Sequence, residues 1–218
     1  MFDNKWNIVR RFGSGILKCP TGIAIAPVGH STYHVLVADI SLHNINVFDE
    51  NCKLLRQLDS FRGPEGLAER DGMLYVVEEI NAVVQVLSVE TGSFIRFIGV
   101  DKLKRPSGIS LCNEELFVGD CFDNDADHGN YAIQVFNLLT GLSVRTIRQQ
   151  FFTPRGIIAT QFENGTGVVV PGYGYCCLVL DADGKLVKRF NSSFVPLSVA
   201  YHGGIFMIVG VDAIALIR

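Results

Sequence analysis

Five of the seven prolines in this 218-residue chain fall in one register. They lie in "CPTGIAI" (19–25), "GPEGLAE" (63–69), "RPSGISL" (105–111), "TPRGIIA" (153–159) and "VPLSVAY" (195–201). Pro20, Pro64, Pro106, Pro154 and Pro196 are separated by 44, 42, 48 and 42 residues. A recurrence of that length marks a chain built by stacking one supersecondary unit on the next. The position also has a local logic. Proline lacks a backbone N–H and fixes φ, which suits the first residue of a strand. The glycine two residues later permits close backbone approach where strands converge; in the fifth unit Ser198 takes its place.

Each proline segment is followed by the same succession of short apolar runs. The second runs are "YHVLVAD" (33–39), "GMLYVVEE" (72–79), "ELFVGD" (115–120), "GVVVPG" (167–172) and "GIFMIVGV" (204–211). The third runs are "INVFDE", "VQVLSVETG", "IQVFNLLTG", "CLVLDADG" and "AIALIR"; "KLLRQL", "SFIRFIG", "LSVRTI" and "KLVKRF" form a fourth in the first four units. The runs are rich in Val, Ile and Phe, are bounded by Gly, Asp and Asn turns, and show no sustained helical period, so the chain is predicted to be all-β. Four antiparallel strands in a unit of about 40–45 residues is the size of a β-propeller blade.

The two ends of the sequence extend the pattern. "MFDNKWNIVRRFG" aligns with the stretch "VFDENCKLLRQL" (47–58), whereas "AIALIR" corresponds to a third strand. The N-terminal strand is therefore expected to complete the last blade, closing a ring and removing two open sheet edges. This predicts a single five-bladed domain over residues 1–218, with a piece of a longer ring as the alternative.

Blade one resembles the NHL repeat. The matching residues are Phe12-Gly13, Pro20-Thr21-Gly22-Ile23-Ala24, Val37-Ala38-Asp39 and Ile45-Asn46-Val47-Phe48-Asp49, and blade three matches again at "RPSGIS", "LFVGD" and "AIQVF". Blade four departs from the pattern, with Pro171 where the Asp is expected, and blade five has a shortened connection. Most members of that family have six blades. The resemblance implies a propeller serving as a protein-binding platform, as an RNA-binding domain or as a zinc-dependent amidating lyase. Fold does not choose among these; the site does.

Composition removes some classes of function. A formal charge of −3 gives no bulk attraction to nucleic acid or to an acidic membrane. No apolar stretch reaches the length of a membrane span, and the first residues lack the apolar core of a signal peptide. Cys19, Cys52, Cys112, Cys121, Cys176 and Cys177 show no paired metal-ligand spacing. Free thiols in a reducing, cytoplasmic compartment are expected, and the sequons at Asn164 and Asn191 are read as chance matches.

Blade topology sorts the loops onto two faces. One face carries the first-to-second and third-to-fourth turns. It is rich in acids, including Asp49, Glu90, Glu114, Glu115 and Asp181, which are read as ordinary turn chemistry. The other face carries the second-to-third loops and the links between blades, where the sequence varies most from unit to unit. The residue after each strand-opening proline (Thr21, Glu65, Ser107, Arg155, Leu197) is expected near the channel mouth. The candidate partner-binding set is His43, Asn44, Arg62, Glu65, Asn81, Arg105, Arg155, Tyr173 and Tyr175.

Metal chemistry finds weaker footing. Asp123, Asp125 and Asp127 alternate in the blade-three insertion and are calcium candidates, but His128 and Gln134 stand where an EF-hand loop has Gly and Glu. Zinc catalysis requires several ligands converging on one metal; His43 and His128 are assigned to one face and His30, His34 and His202 to the other. The basic residues of the outermost strands (Arg10, Arg11, Arg56, Arg96, Arg145, Arg148, Lys188, Arg189) are expected to guard sheet edges against pairing. The sequence thus points to a non-catalytic, cofactor-free and monomeric interaction module for a protein or peptide. Single-stranded RNA binding is the alternative, and a metal-dependent lyase lies further behind.

Overall fold

A computed structural model describes residues 9–121, 131–148, 155–163, 165–172, 175–202, 204–210 and 213–217. They form nineteen strands, all antiparallel to their neighbours, in five sheets. Blade one contains β1 (Pro20–Pro27), β2 (Tyr33–Asp39), β3 (Asn44–Phe48) and β4 (Leu54–Leu58). Blade two contains β5 (Pro64–Arg70), β6 (Met73–Glu78), β7 (Val83–Ser88) and β8 (Phe94–Ile98). Blade three contains β9 (Pro106–Cys112), β10 (Glu115–Cys121), β11 (Tyr131–Asn137) and β12 (Ser143–Arg148). Blade four contains β13 (Ile158–Phe162), β14 (Gly165–Gly172), β15 (Cys176–Asp181) and β16 (Leu186–Asn191). Blade five contains β17 (Ser198–His202), β18 (Ile205–Val209) and β19 (Ile214–Ile217). Residues 1–7 of the expected closing strand lie outside the described residues, as does Ile8.

The first strands of all five sheets line a central channel of about 620 Å³, so the sheets are the blades of a ring. Glycine sets how tightly those strands meet. A Cβ on Gly22 would lie 2.1 Å from the Glu65 carbonyl oxygen, one on Gly66 2.5 Å from that of Ser107, and one on Gly156 2.2 Å from the Ser198 Cα. No side chain fits there. Just upstream, the pairing of β1 with β2 skips between Pro20 and Ile23, and that of β5 with β6 between Pro64 and Leu67. The Pro-x-Gly segment therefore bulges out of its own sheet and leans on the next blade.

The apolar core is divided into layers between blades. Successive side chains of one strand point to opposite faces of its sheet. On β6, Leu74 and Val76 join Leu36 and Ala38 of blade one, while Tyr75 and Val77 join Leu116 and Val118 of blade three. On β10 and β14 the same split places Phe117 with Val168 and Val170, and Val169 with Val199 and Ile208. Each inner sheet is covered on both faces, which is why its strands read as unbroken apolar runs rather than alternating ones.

Buried carboxylates lock the links between blades. Asp39 is fully buried and accepts the backbone N–H groups of Lys18 (2.6 Å), Cys19, Ser41 and Leu42. Asp120, also fully buried, accepts those of Lys104 (3.1 Å) and Arg105 (2.8 Å). In blade two the residue is Glu78, whose Oε2 accepts the Arg62 N–H and the Asn81 amide at 2.8 Å each. Among the described residues its Oε1 is buried without a hydrogen-bond partner.

Three of the outer arginines have a role that the edge-guard expectation did not include. Arg56 of β4 donates to the carbonyl oxygens of Val89 and Glu90 in the third-to-fourth turn of blade two. Arg96 of β8 grips Leu138 and Leu139 of blade three, and Arg145 of β12 donates to Ala182 of blade four at 2.7 Å. A planar guanidinium donates along more than one direction, so it spans two consecutive carbonyls where a lysine would reach one. These arginines join neighbouring blades.

Candidate functional site

The charges of the two faces are used differently. On the turn face, Asp49 Oδ1 accepts the Asn51 and Lys53 N–H groups, and Asp181 Oδ1 accepts those of Asp183 and Lys185. Glu69 accepts from Gly72, and Asn113 donates to Gln161 across the next blade boundary. Glu115 holds Arg145 through both carboxylate oxygens and lies far from being a free surface acid. Asp49, Glu69, Asp181 and Glu115 of this face are thus held within their own turns or their own blade.

At the opposite end of the channel a cavity of about 190 Å³ is lined by Glu65, Glu79, Arg105, Ser107, Cys121, Tyr131 and Arg155. Glu65, Ser107 and Arg155 occupy the position after the proline of the repeat, and together with Thr21 and Leu197 they also line the channel itself. Position in the repeat thus brings side chains from blades two, three and four to one mouth. Thr21 is occupied there, its hydroxyl donating to the Pro64 carbonyl at 3.0 Å.

Two charge pairs occupy the mouth in different ways. Arg105 and Glu79 form an ion pair at 3.0 Å. Glu65 and Arg155 have neither a hydrogen bond nor an ion pair to their side chains among the described residues. Burial pushes the Glu65 carboxyl above its ordinary value; the Arg155 and Arg105 guanidiniums oppose that shift and Glu79 adds to it. A desolvated acid thus lies beside a guanidinium at the opening of the channel.

The other sequence candidates are distributed around this mouth. His43 accepts the Gly63 N–H on Nδ1 at 3.1 Å, and buried Asn44 accepts from Asn46 at 3.0 Å. Asn81 is held by Glu78, so these three have polar atoms committed within the fold. The Arg62 side chain is exposed, as is Tyr175 at 56%. Tyr173, Asp123, Asp125, Asp127 and His128 lie outside the described residues. Glu79, Cys121 and Tyr131 were not in the sequence-derived set. Glu79 and Cys121 each follow the buried acid of their blade, so register alone could have placed them. Among the described residues no three His, Cys, Asp or Glu side chains converge as metal ligands. Cys112, Cys176 and Cys177 are buried, and burial together with Cys176 raises the thiol of Cys177 to about 12.

Fold and channel define the class: a five-bladed β-propeller with a charged mouth. No protein-family model matches the chain, and no curated protein sequence does. Among solved structures it is similar to Kuenenia stuttgartiensis hydrazine synthase, with a TM-score of 0.66 and 22% identity over 88% of this chain and 55% of that one. It is also similar to BamB from Moraxella catarrhalis, with a TM-score of 0.57 and 14% identity over 89% of this chain and 56% of that one. The chain spans little more than half the length of either neighbour, and at these identities the likeness is one of fold.

Proposed function

We propose that this propeller is a non-catalytic interaction module that binds a protein or peptide partner through the face around the channel mouth. One observation carries the reading: Glu65 and Arg155, side by side at the mouth, have no hydrogen bond or ion pair to their side chains among the described residues, while Asp49, Asp181 and Glu115 of the opposite face are held in turns and within their own blade. Exposed Tyr175 and Arg62 flank that face and are residue types that often anchor interfaces. The propeller neighbours support a scaffold in general terms, and the NHL assignment rests on the motif residues of blades one and three. Glu65 and Glu79 at the mouth work against a phosphate backbone, which favours a protein partner over RNA.

The test is capture of partners from native extract by Arg155→Glu and by Glu114→Lys, an exposed change on the other face. The first variant is expected to lose about tenfold or more in capture, on the scale of a true interface hot spot, and the second to match the parent. Capture abolished by nuclease, or falling steeply with salt, would replace this reading with RNA binding. Loss in Glu114→Lys alone would move the site to the turn face.

A further inference from the structure

The mouth carries equal numbers of opposite charges, yet only one of its two pairs is closed. Arg105 and Glu79 neutralise each other at 3.0 Å. Glu65 and Arg155 remain open beside them, both lining the cavity and the channel behind it. A ligand bearing one charge would satisfy one of these side chains and be repelled by the other. A ligand bearing both charges leaves the mouth neutral with every charge partnered, which is the condition for placing ions in a partly desolvated site. Beyond the two charges the channel wall combines the exposed aliphatic side chains of Ile23 and Leu197 with the hydroxyl residues Thr21, Ser107 and Ser198. Its volume of about 620 Å³ lies within the range of about 300–1,000 Å³ typical of small-molecule sites.

We propose that the channel mouth binds a small zwitterion with an aliphatic body, an α-amino acid of the leucine type. Its ammonium sits on Glu65, its carboxylate on Arg155, and its side chain enters the channel. The guanidinium offers the fork of donors that a carboxylate accepts. The carboxylate of Glu65 accepts from an ammonium in the same way. Ile23 and Leu197 supply selection for an aliphatic side chain over hydrogen. The ligand uses the same two side chains as the interaction face of the proposed function and so rests on that reading's site; capture and small-molecule binding are measured independently, which keeps the failure of one distinguishable from the failure of the other.

Isothermal titration of the full chain at neutral pH compares L-leucine with isoamylamine, isovalerate and glycine. Leucine is expected to bind with a Kd between about 10 μM and 1 mM. Isoamylamine and isovalerate, each lacking one charge, and glycine, lacking the side chain, are each expected to bind about tenfold or more weakly than leucine. Glu65→Gln and Arg155→Met each lose about tenfold in leucine affinity, on the scale of a charge-assisted hydrogen bond, while Glu114→Gln does not. No heat with leucine at about 10 mM, equal binding of either singly charged analogue, or unchanged affinity in both mouth variants overturns the proposal. The analogue series on the parent protein needs no variant to fold.

Discussion

The guanidinium of Arg10 donates to the carbonyl oxygen of Asn51, in the third-to-fourth turn of blade one. Arg56 makes the equivalent contact one blade further on, to Glu90 at 2.7 Å. Every other arginine in this series sits on the outermost strand of the preceding blade, so Arg10 holds its segment where the outermost strand of blade five would lie. Phe12 adds an edge-on contact with Phe48 at 5.1 Å. Deleting residues 1–12 removes both contacts and is expected to broaden the unfolding transition and lower solubility, through an exposed sheet edge. Thermal unfolding with the parent's midpoint and cooperativity would refute this.

The clamps themselves are testable in the middle of the ring. Arg96→Lys keeps the charge of β8 but gives up the two-carbonyl fork. A loss of about 1–3 kcal/mol in urea unfolding is expected, the usual scale for hydrogen bonds to a charged group. If lysine restores full stability, charge on the edge strand matters and the fork does not.

Gly66 faces the Ser107 carbonyl at a distance no Cβ tolerates. Gly66→Ala should cost about 2 kcal/mol or more, because the obstacle is backbone and moving it shifts a whole blade. Denaturant titration reads the effect directly, and a neutral outcome would mean that the inner strands do not meet as described.

Glu65, Glu78 and Asp120 all have carboxyls raised above their ordinary values, with burial as the largest cause in each. A carboxyl raised in the folded state favours folding below its unfolded value and loses that contribution as pH rises through its folded value. For Glu78, whose ordinary value is 4.5, wild type should gain stability relative to Glu78→Gln as pH falls from neutral towards that value. Paired unfolding curves across that range decide it; parallel curves, or an opposite slope, would show that Glu78 is not the source.

The thiols should divide by burial. Cys19 is exposed and should alkylate rapidly in the native protein, whereas Cys112, Cys176 and Cys177 are buried and should react only on unfolding. Mass spectrometry after timed iodoacetamide treatment distinguishes them, and early labelling of Cys177 would contradict its placement in the core between blades four and five.

Much of this architecture was legible because covalent constraint repeats visibly. Proline opens the first strand in blades one to three, at Pro20, Pro64 and Pro106, and the glycine two residues on marks where backbones must touch; in blades four and five the first strands begin at Ile158 and Ser198, so there the register places the segment and not the strand start. The same register placed Glu65, Ser107 and Arg155 at the mouth. The arginines were misread because their partners are backbone carbonyls, which every residue possesses and no sequence distinguishes. Nor could spacing tell that Asp39, Glu78 and Asp120 are buried while Glu79 beside them is not. Both kinds of acid end a second strand, and only the direction of the side chain separates them. Tyr131 became a member of the site through loop geometry that pattern alone does not encode.

The alternation along β6 has a consequence for how such a chain can fail. Leu74 and Val76 belong to one interface and Tyr75 and Val77 to the next. A slip of one residue in this strand would exchange those two sets, placing a tyrosine where a leucine fits on one side and leaving a void on the other. A strand that serves a single core can misregister at the expense of that core alone. Here one error damages two seams, and the neighbours on each side act as proofreaders of the same strand.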